Sequence, residues 1–263
     1  MRAWIGVLAV VAGLGATMAA DTIPATGGNI ELTPMAHAHV QVEYGGKVIH
    51  IDPSNMANYG AAKPADIVLI TDIHGDHMDP PSIDRLRKAT TQYVAPAALA
   101  DKFPGPTTII GNGESKTVDG VSIQAVAAYN LTRGPVPGQL YHTKGRGNAY
   151  LLTLGGKRIL FTGDTECTPE IKALTNVDVA FVTMNLPFTM PPKEAADCVK
   201  AFKPKVVYPY HYSQQGLEPA DKNQQDFAAA MKGAVGIEVK AADFYPAPAA
   251  PPGRGGAGRG RGQ

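Results

Sequence analysis

An α/β fold in four layers, α/β/β/α, is what this chain of 263 residues predicts, and three observations carry the prediction. The first part is rich in alternating or continuous apolar runs that read as strands. The second part alternates such strands with helices, and two Gly-Gly pairs mark hairpins in comparable places. Two mixed sheets facing each other, with helices outside, accommodate that order; no repeat of 20–50 residues is visible. The length is enough for a sizeable core. An apolar content of 44% against 18% charged residues excludes a disordered chain, and a formal charge of +1 excludes a basic field for nucleic acid.

The chain opens with a different material. In "MRAWIGVLAVVAGLGATMAA", Arg2 supplies a positive start, Ile5 to Leu14 an apolar stretch, and Ala19 and Ala20 a small-residue cleavage site. Residues 1–20 therefore read as a signal peptide, short of the roughly 20 apolar residues of a membrane span. The expectation is a periplasmic or secreted protein with no integral membrane segment once the leader is removed. A domain over residues 21–245 follows, its folded body beginning near residue 28.

"HVQVEYGGKVIHID" reads as a hairpin around Gly45–Gly46. "DIVLI" (66–70) is a continuous apolar run, the mark of a strand buried on both faces. "PPSIDRLRKA" opens on proline and carries Ile83 and Leu86 at helical spacing. Strands follow in "TTII" (107–110), "VSIQAVAA" (121–128), the Gly-Gly hairpin over 149–163, and "VDVAFVTM" (177–184). "KEAADCVKAFKP" is an amphipathic helix stopped by Pro204, and "KVVYPYHY" a strand. "NQQDFAAAMKG" is a helix closed by Gly233, and "GIEVKA" the last strand. Residues 246–263, Pro/Ala then Gly/Arg, bury too little to order and read as a disordered tail. Its Arg254, Arg259 and Arg261 suit an anionic polymer if the tail serves as an interaction module. Cys198 reads as a buried helical thiol, and Cys167, three residues past Asp164, as one facing the strand end there. Their pairing stays open, since sequence does not give their separation.

The chemistry gathers at three strand ends. The strand at 66–70 runs into Asp72, His74, Asp76, His77 and Asp79, that at 157–162 into Asp164, and that at 205–209 into His211. Ligands of open α/β sheets bind beyond the carboxyl ends of strands. Imidazoles and carboxylates delivered from separate ends surround one divalent cation at about 2.0–2.2 Å. Taken singly, His211 suits a core histidine, "GDT" a turn and "HGDH" a solvated loop. Three such ends in one domain point to a metal.

These stretches resemble the metallo-β-lactamase superfamily: "TDIHGDHMD" its H-x-H-x-D-H motif, "FTGDT" its bridging-aspartate motif, "YPYHY" its final histidine motif. The nearest likeness is to the branch of ascorbate-6-phosphate lactonase and bacterial Zn-dependent hydrolases. "AHAHVQVEYGGKVIHIDP", "AAYN", "YHTKGRGNAYLL", "GDTECTPEI" and "MNLPFTM" carry it, in order over residues 30–213. Position by position, the resemblance implies the metal ligands His74, Asp76, His77, Asp164 and His211, with Asp76 also catalytic. One metal position (Asp76, His77, Asp164, His211) is complete. At the other, Asp72 and Asn130 stand where the family has histidines, as metal ligands or as residues behind them, so that position is expected to be oxygen-rich.

The resemblance implies Zn2+, one or two ions. Harder oxygen donors favour Mn2+ or Fe2+ at the second position, so one ion is expected to be firmly held and the other weaker, different or absent. Asp52 is a candidate for orienting a ligating histidine or for capping a turn. His37, His39 and His142 resemble positions near the mouth of related sites, with His37 and His142 the candidates for substrate binding; His50 carries no role. Lys144 and Arg146 read as a solvated basic turn or an anion holder. The expected reaction is hydrolysis by metal-activated water of a small-molecule lactone or other carboxylic-acid derivative. Phosphodiester cleavage and a non-catalytic metal-binding or sensing role are the alternatives. β-Lactam cleavage is not expected, since a fold does not dictate its reaction. Relatives of this fold often self-associate, so a homo-oligomer is an open expectation.

Overall fold

Apolar alternation and tight turns build the two halves of the molecule the same way. The computed structural model describes residues 20–213 and 220–245; residues 1–19 of the expected leader and the expected tail lie outside them. One sheet holds β1 (Asp21–Ala25), β2 (Gly28–Ala36), β3 (His39–Tyr44), β4 (Lys47–Ile51), β5 (Ala65–Leu69), β6 (Arg87–Ala95) and β7 (Thr107–Ile109), in chain order. Helix α1 (Pro80–Leu86) lies between β5 and β6 in sequence. The other sheet holds β8 (Ser115–Val118), β9 (Val121–Ala128), β10 (Gly147–Leu154), β11 (Lys157–Phe161), β12 (Val179–Thr183), β13 (Val206–Tyr210) and β14 (Glu238–Val239), again in chain order. Its helices are α2 (Pro169–Lys172), α3 (Pro192–Phe202) and α4 (Ala220–Met231). In each sheet the first three pairings are antiparallel and the last three parallel.

Each Gly-Gly turn joins the third and fourth strands of its sheet. All four glycines have positive φ (59° and 78° at Gly45–Gly46, 52° and 78° at Gly155–Gly156), the backbone that two-residue hairpins demand. Val40, Val42, Ile67 and Leu69 of the first sheet share one buried cluster with Ile123, Leu152 and Phe181 of the second. Burying such side chains contributes about 1.5–3 kcal/mol each, before ordering costs. Val68 and Ile70 meet Ile83 and Leu86 of α1 on the other face, so β5 is buried on both sides as expected. Ala195, Val199 and Phe202 of α3 and Phe227 of α4 complete the fourth layer. Among the described residues no helix is long and apolar enough to cross a membrane.

Three expectations are corrected. The strands begin at Asp21, ahead of the body expected from near residue 28, because β1 pairs along its whole length with β2. Helix α1 stops at Leu86: Arg87 is already extended (φ −69°, ψ 143°), and the β-branched and aromatic residues Thr90, Thr91, Tyr93 and Val94 carry β6, a strand the sequence did not announce. Cys167 and Cys198 are neither of them free thiols. They form a disulfide with Cα atoms 5.6 Å apart, tying the loop after Asp164 to α3.

Candidate metal centre

The site is assembled where the parallel strands of both sheets end. β5 emerges at Thr71, whose backbone N and Oγ1 donate to the carboxylate of Asp52, at the end of β4 (2.7 and 2.5 Å). The chain then doubles back on itself: His77 N and Met78 N both donate to His74 O (3.1 and 2.9 Å). Asp79 caps α1 by accepting from Ser82 N, so the last aspartate of the opening motif is structural. From the second sheet, Gly163 (φ 59°) presses against Thr71. A Cβ there would lie 2.7 Å from Thr71 Cβ, so only glycine lets β11 deliver Asp164 this close. His211, past β13, and His37, past β2, both have left-handed backbones (φ 47° and 56°), and His211 N donates to His37 O.

Five histidines are each held by one ring nitrogen. Nδ1 of His77 meets Asp52 Oδ2 (2.9 Å), Nδ1 of His211 meets Asn185 Nδ2 (3.1 Å), and Nδ1 of His142 meets Asn130 Oδ1 (2.7 Å). Nδ1 of His37 meets the Tyr245 hydroxyl (2.6 Å), and Nδ1 of His74 meets Asp72 Oδ2 (2.9 Å). Four of the opposite Nε2 atoms converge on carboxylates. His77 and His211 Nε2 are 3.2 Å apart and each 3.4 Å from Asp164. His142 Nε2 is 3.1 Å from Asp164 Oδ2, and His37 Nε2 is 3.1 Å from Asp76 Oδ2. Fixing one nitrogen to aim the other is how proteins present imidazole to a metal.

Two donor positions share Asp164. His77, Asp164 and His211 cluster at one, with Asp76 Oδ2 3.5 Å from His211 Nε2. Asp72, His74, His142 and Asp164 cluster at the other. Of the two roles open to Asn130, ligand or support for one, the geometry is that of a support: its amide is spent on Glu166, the Phe188 carbonyl and His142. His142, expected near substrate, stands in its place, so the position is not dominated by oxygen but brings two imidazoles together with two carboxylates. His37, the other substrate candidate, lies against Asp76 and His211, its ring 3.7 Å from that of His211. His39 and His50 bond to each other (2.8 Å) on β3 and β4, apart from both donor clusters.

A cation fits this arrangement. Asp164 Oδ1 is buried and accepts no hydrogen bond, an orphan 3.4 Å from His211 Nε2, while Oδ2 faces His77 and His142. Burial opposes ionisation of Asp164, but the charges of His211 and His77 outweigh it and hold the carboxyl well below its usual range. Burial likewise pulls His77 toward neutrality, and Asp164 and Asp52 overcome it, raising its pKa well above the histidine norm. His37 is driven the other way, to about 4, by burial and by His211 despite Asp76.

The sequence reading missed Asn185, Tyr245 and the partners of Arg146. Asn185 stands in "MNLPFTM" beyond β12, and a polar residue at one more strand end was the available signal. Nothing marks Tyr245, which reaches His37 from a point 208 residues further along the chain.

Residues 31–211 match the family described as the Beta-lactamase superfamily domain. A metal-dependent hydrolase of Thermococcus onnurineus is 35% identical over 191 residues, 68% of this chain and 83% of that protein. The crystal structure of a candidate metal-dependent hydrolase from Parabacteroides distasonis is 34% identical, covers 86% of this chain and 98% of its own, and superposes with a TM-score of 0.76. A metallo hydrolase of the archaeon Ignicoccus hospitalis, 22% identical over 81% of this chain and 94% of its own, shares the fold with a TM-score of 0.64.

Proposed function

Since the chain belongs to the β-lactamase superfamily, we propose that it is a metal-dependent hydrolase acting on lactones or other uncharged carboxylic-acid derivatives, with zinc as its ion. The observation that carries the reading is the convergence of His77 Nε2, His211 Nε2 and the Asp164 carboxylate, whose Oδ1 is an orphan, on one buried point. Imidazoles combined with carboxylates in this way suit zinc. A divalent ion bound there lowers the pKa of water toward about 7 and polarises the substrate's oxygen. The protein supplies the rest. Asp52, Asn185 and Asn130 hold the rings of His77, His211 and His142. Asp76, the one partly exposed carboxylate of the first cluster (28% exposed), orients the attacking water at the mouth.

The substrate class rests on the resemblance and on the loop 129–147. Its three cations are all paired: Arg133 with Glu194 (2.7 Å), Lys144 with Glu170 (2.5 Å) and Arg146 with Asp72 (2.9 Å). Leu131, Val136 and Leu186 are exposed on the loops that carry Asn130 and Asn185. Paired cations and apolar side chains favour a neutral acyl substrate over a phosphodiester. We further propose that the protein works in the periplasm or is secreted, which the disulfide supports.

The test is hydrolysis of a panel of lactones, aryl esters and bis(nitrophenyl) phosphate by the purified chain. Lactone or ester turnover that disappears in His77→Ala and after chelation is the expected result. Turnover undiminished in His77→Ala overturns the mechanism; phosphodiester turnover alone overturns the substrate class; an inert but metal-loaded protein overturns catalysis.

A further inference from the structure

The two donor positions are not alike, and the difference lies in Arg146. Its Nη2 donates to both oxygens of Asp72 (2.9 and 3.1 Å) and its Nε to Oδ1 (3.2 Å), while Nη1 donates to the Tyr141 carbonyl (2.9 Å). Oδ2 of Asp72 also takes the backbone N of His74 (3.2 Å) and faces His74 Nδ1. Both oxygens of this carboxylate, 3% exposed, are therefore occupied by donors of this chain. The pairing is built into the backbone as well. Arg146 N closes a turn onto Thr143 O, and two residues on, Asn148 N donates to Thr71 O, so the start of β10, directly after Arg146, is bonded beside Asp72. Bidentate arginine–carboxylate contact is the strongest form of such a pair, and arginine does not lose its charge.

Set against this, the carboxylates at the position of His77, Asp164 and His211 carry no arginine or lysine among the described residues. Asp76 faces His37 and His211, Asp52 backs His77, and Asp164 Oδ1 accepts no hydrogen bond. The second position has Asp164, which it shares, and Asp72, whose charge Arg146 cancels. A cation entering it would meet a fixed positive charge where the first would meet none.

Resting on the metal reading above, we propose that Arg146 makes the centre unequal: one divalent ion is held tightly by Asp76, His77, Asp164 and His211, and the position at His74 and His142 binds a second ion only weakly, because the guanidinium already holds Asp72. The cause is a competing cation, not the softness or hardness of the donors. Asp72 then acts on His74 as a positioning residue.

The test is metal stoichiometry and stepwise affinity on the full chain. Chelator-stripped protein is titrated with Zn2+ against a chromophoric chelator, and retained metal is counted by mass spectrometry after desalting. Wild type is expected to retain one zinc and to take up a second with clearly lower affinity. Arg146→Met is expected to tighten the second step by about 10- to 100-fold, the span that partners of metal ligands ordinarily command, while Arg146→Lys, which keeps the charge, stays near wild type. Two equally tight ions in wild type overturn the inequality, and an unchanged or weaker second step in Arg146→Met overturns Arg146 as its cause. If Arg146→Met does not fold, the wild-type count and the Arg146→Lys titration decide alone. A wild-type chain that takes up no zinc overturns the metal reading itself.

Discussion

Asp52 is the residue whose chemistry is most exposed to test. Fully buried, it accepts from Thr71 twice and faces His77 Nδ1, so one carboxylate fixes both a strand end and a ligand ring. Replacing it with alanine strands the Thr71 N–H and lets His77 turn. Asp52→Ala is expected to lower divalent-metal affinity by about 10- to 100-fold, as measured by chelator competition, with Asp52→Asn losing less. At this scale the motif residues were legible because carboxylates and imidazoles crowd the ends of apolar strands. His142 was not read as a donor, because its partner Asn130 lies twelve residues away in a loop without periodicity, and only the fold brings its ring to Asp164.

Among the elements, the loop from Asp164 to α3 carries a constraint that no pattern in the sequence specified. The disulfide closes a segment of 31 residues that includes α2, β12 and Asn185. Constraining a loop of that length in the unfolded chain stabilises the fold by about 3–4 kcal/mol in the chain-entropy account. The double variant Cys167→Ser/Cys198→Ser is expected to lose that much in urea unfolding under oxidising conditions, and wild type in reductant to approach it. β1 and β6 went unread for different reasons. β1 has no apolar alternation to speak of, its exposed side alternating with half-buried residues, and β6 begins in the charged "RK" that the preceding helical spacing claimed.

For the molecule as a whole, Asp21 links the first strand of one sheet to the last strands of the other, through Lys240 Nζ (2.6 Å) and the Tyr208 hydroxyl. Burial opposes the charge of Asp21, but these two partners prevail and hold its pKa below 3.8. Because the folded value is the lower one, the stabilisation is complete above 3.8 and fades as pH falls through the folded pKa. Solvent screens this partly exposed group, so the contribution is about 0.2–1 kcal/mol. Asp21→Asn is expected to melt slightly below wild type at pH 7, by calorimetry, and level with it in strong acid. The faint echo of two Gly-Gly hairpins proves to be a full topological correspondence, with Asp52 and Asp164 each following the fourth strand of its sheet. The residues around the two turns differ enough to hide it.

That sequential order of strands divides the donors by address. His37, Asp52, Asp72, His74, Asp76 and His77 all precede Gly111, while Asn130, His142, Arg146, Asp164, Asn185 and His211 all follow Gly113. A polypeptide severed at that crossing would yield two fragments, each with only part of the donor set that would hold a metal ion. Adding the ion would then favour their reunion, and this architecture could serve as a two-piece reporter in which metal is the fastener.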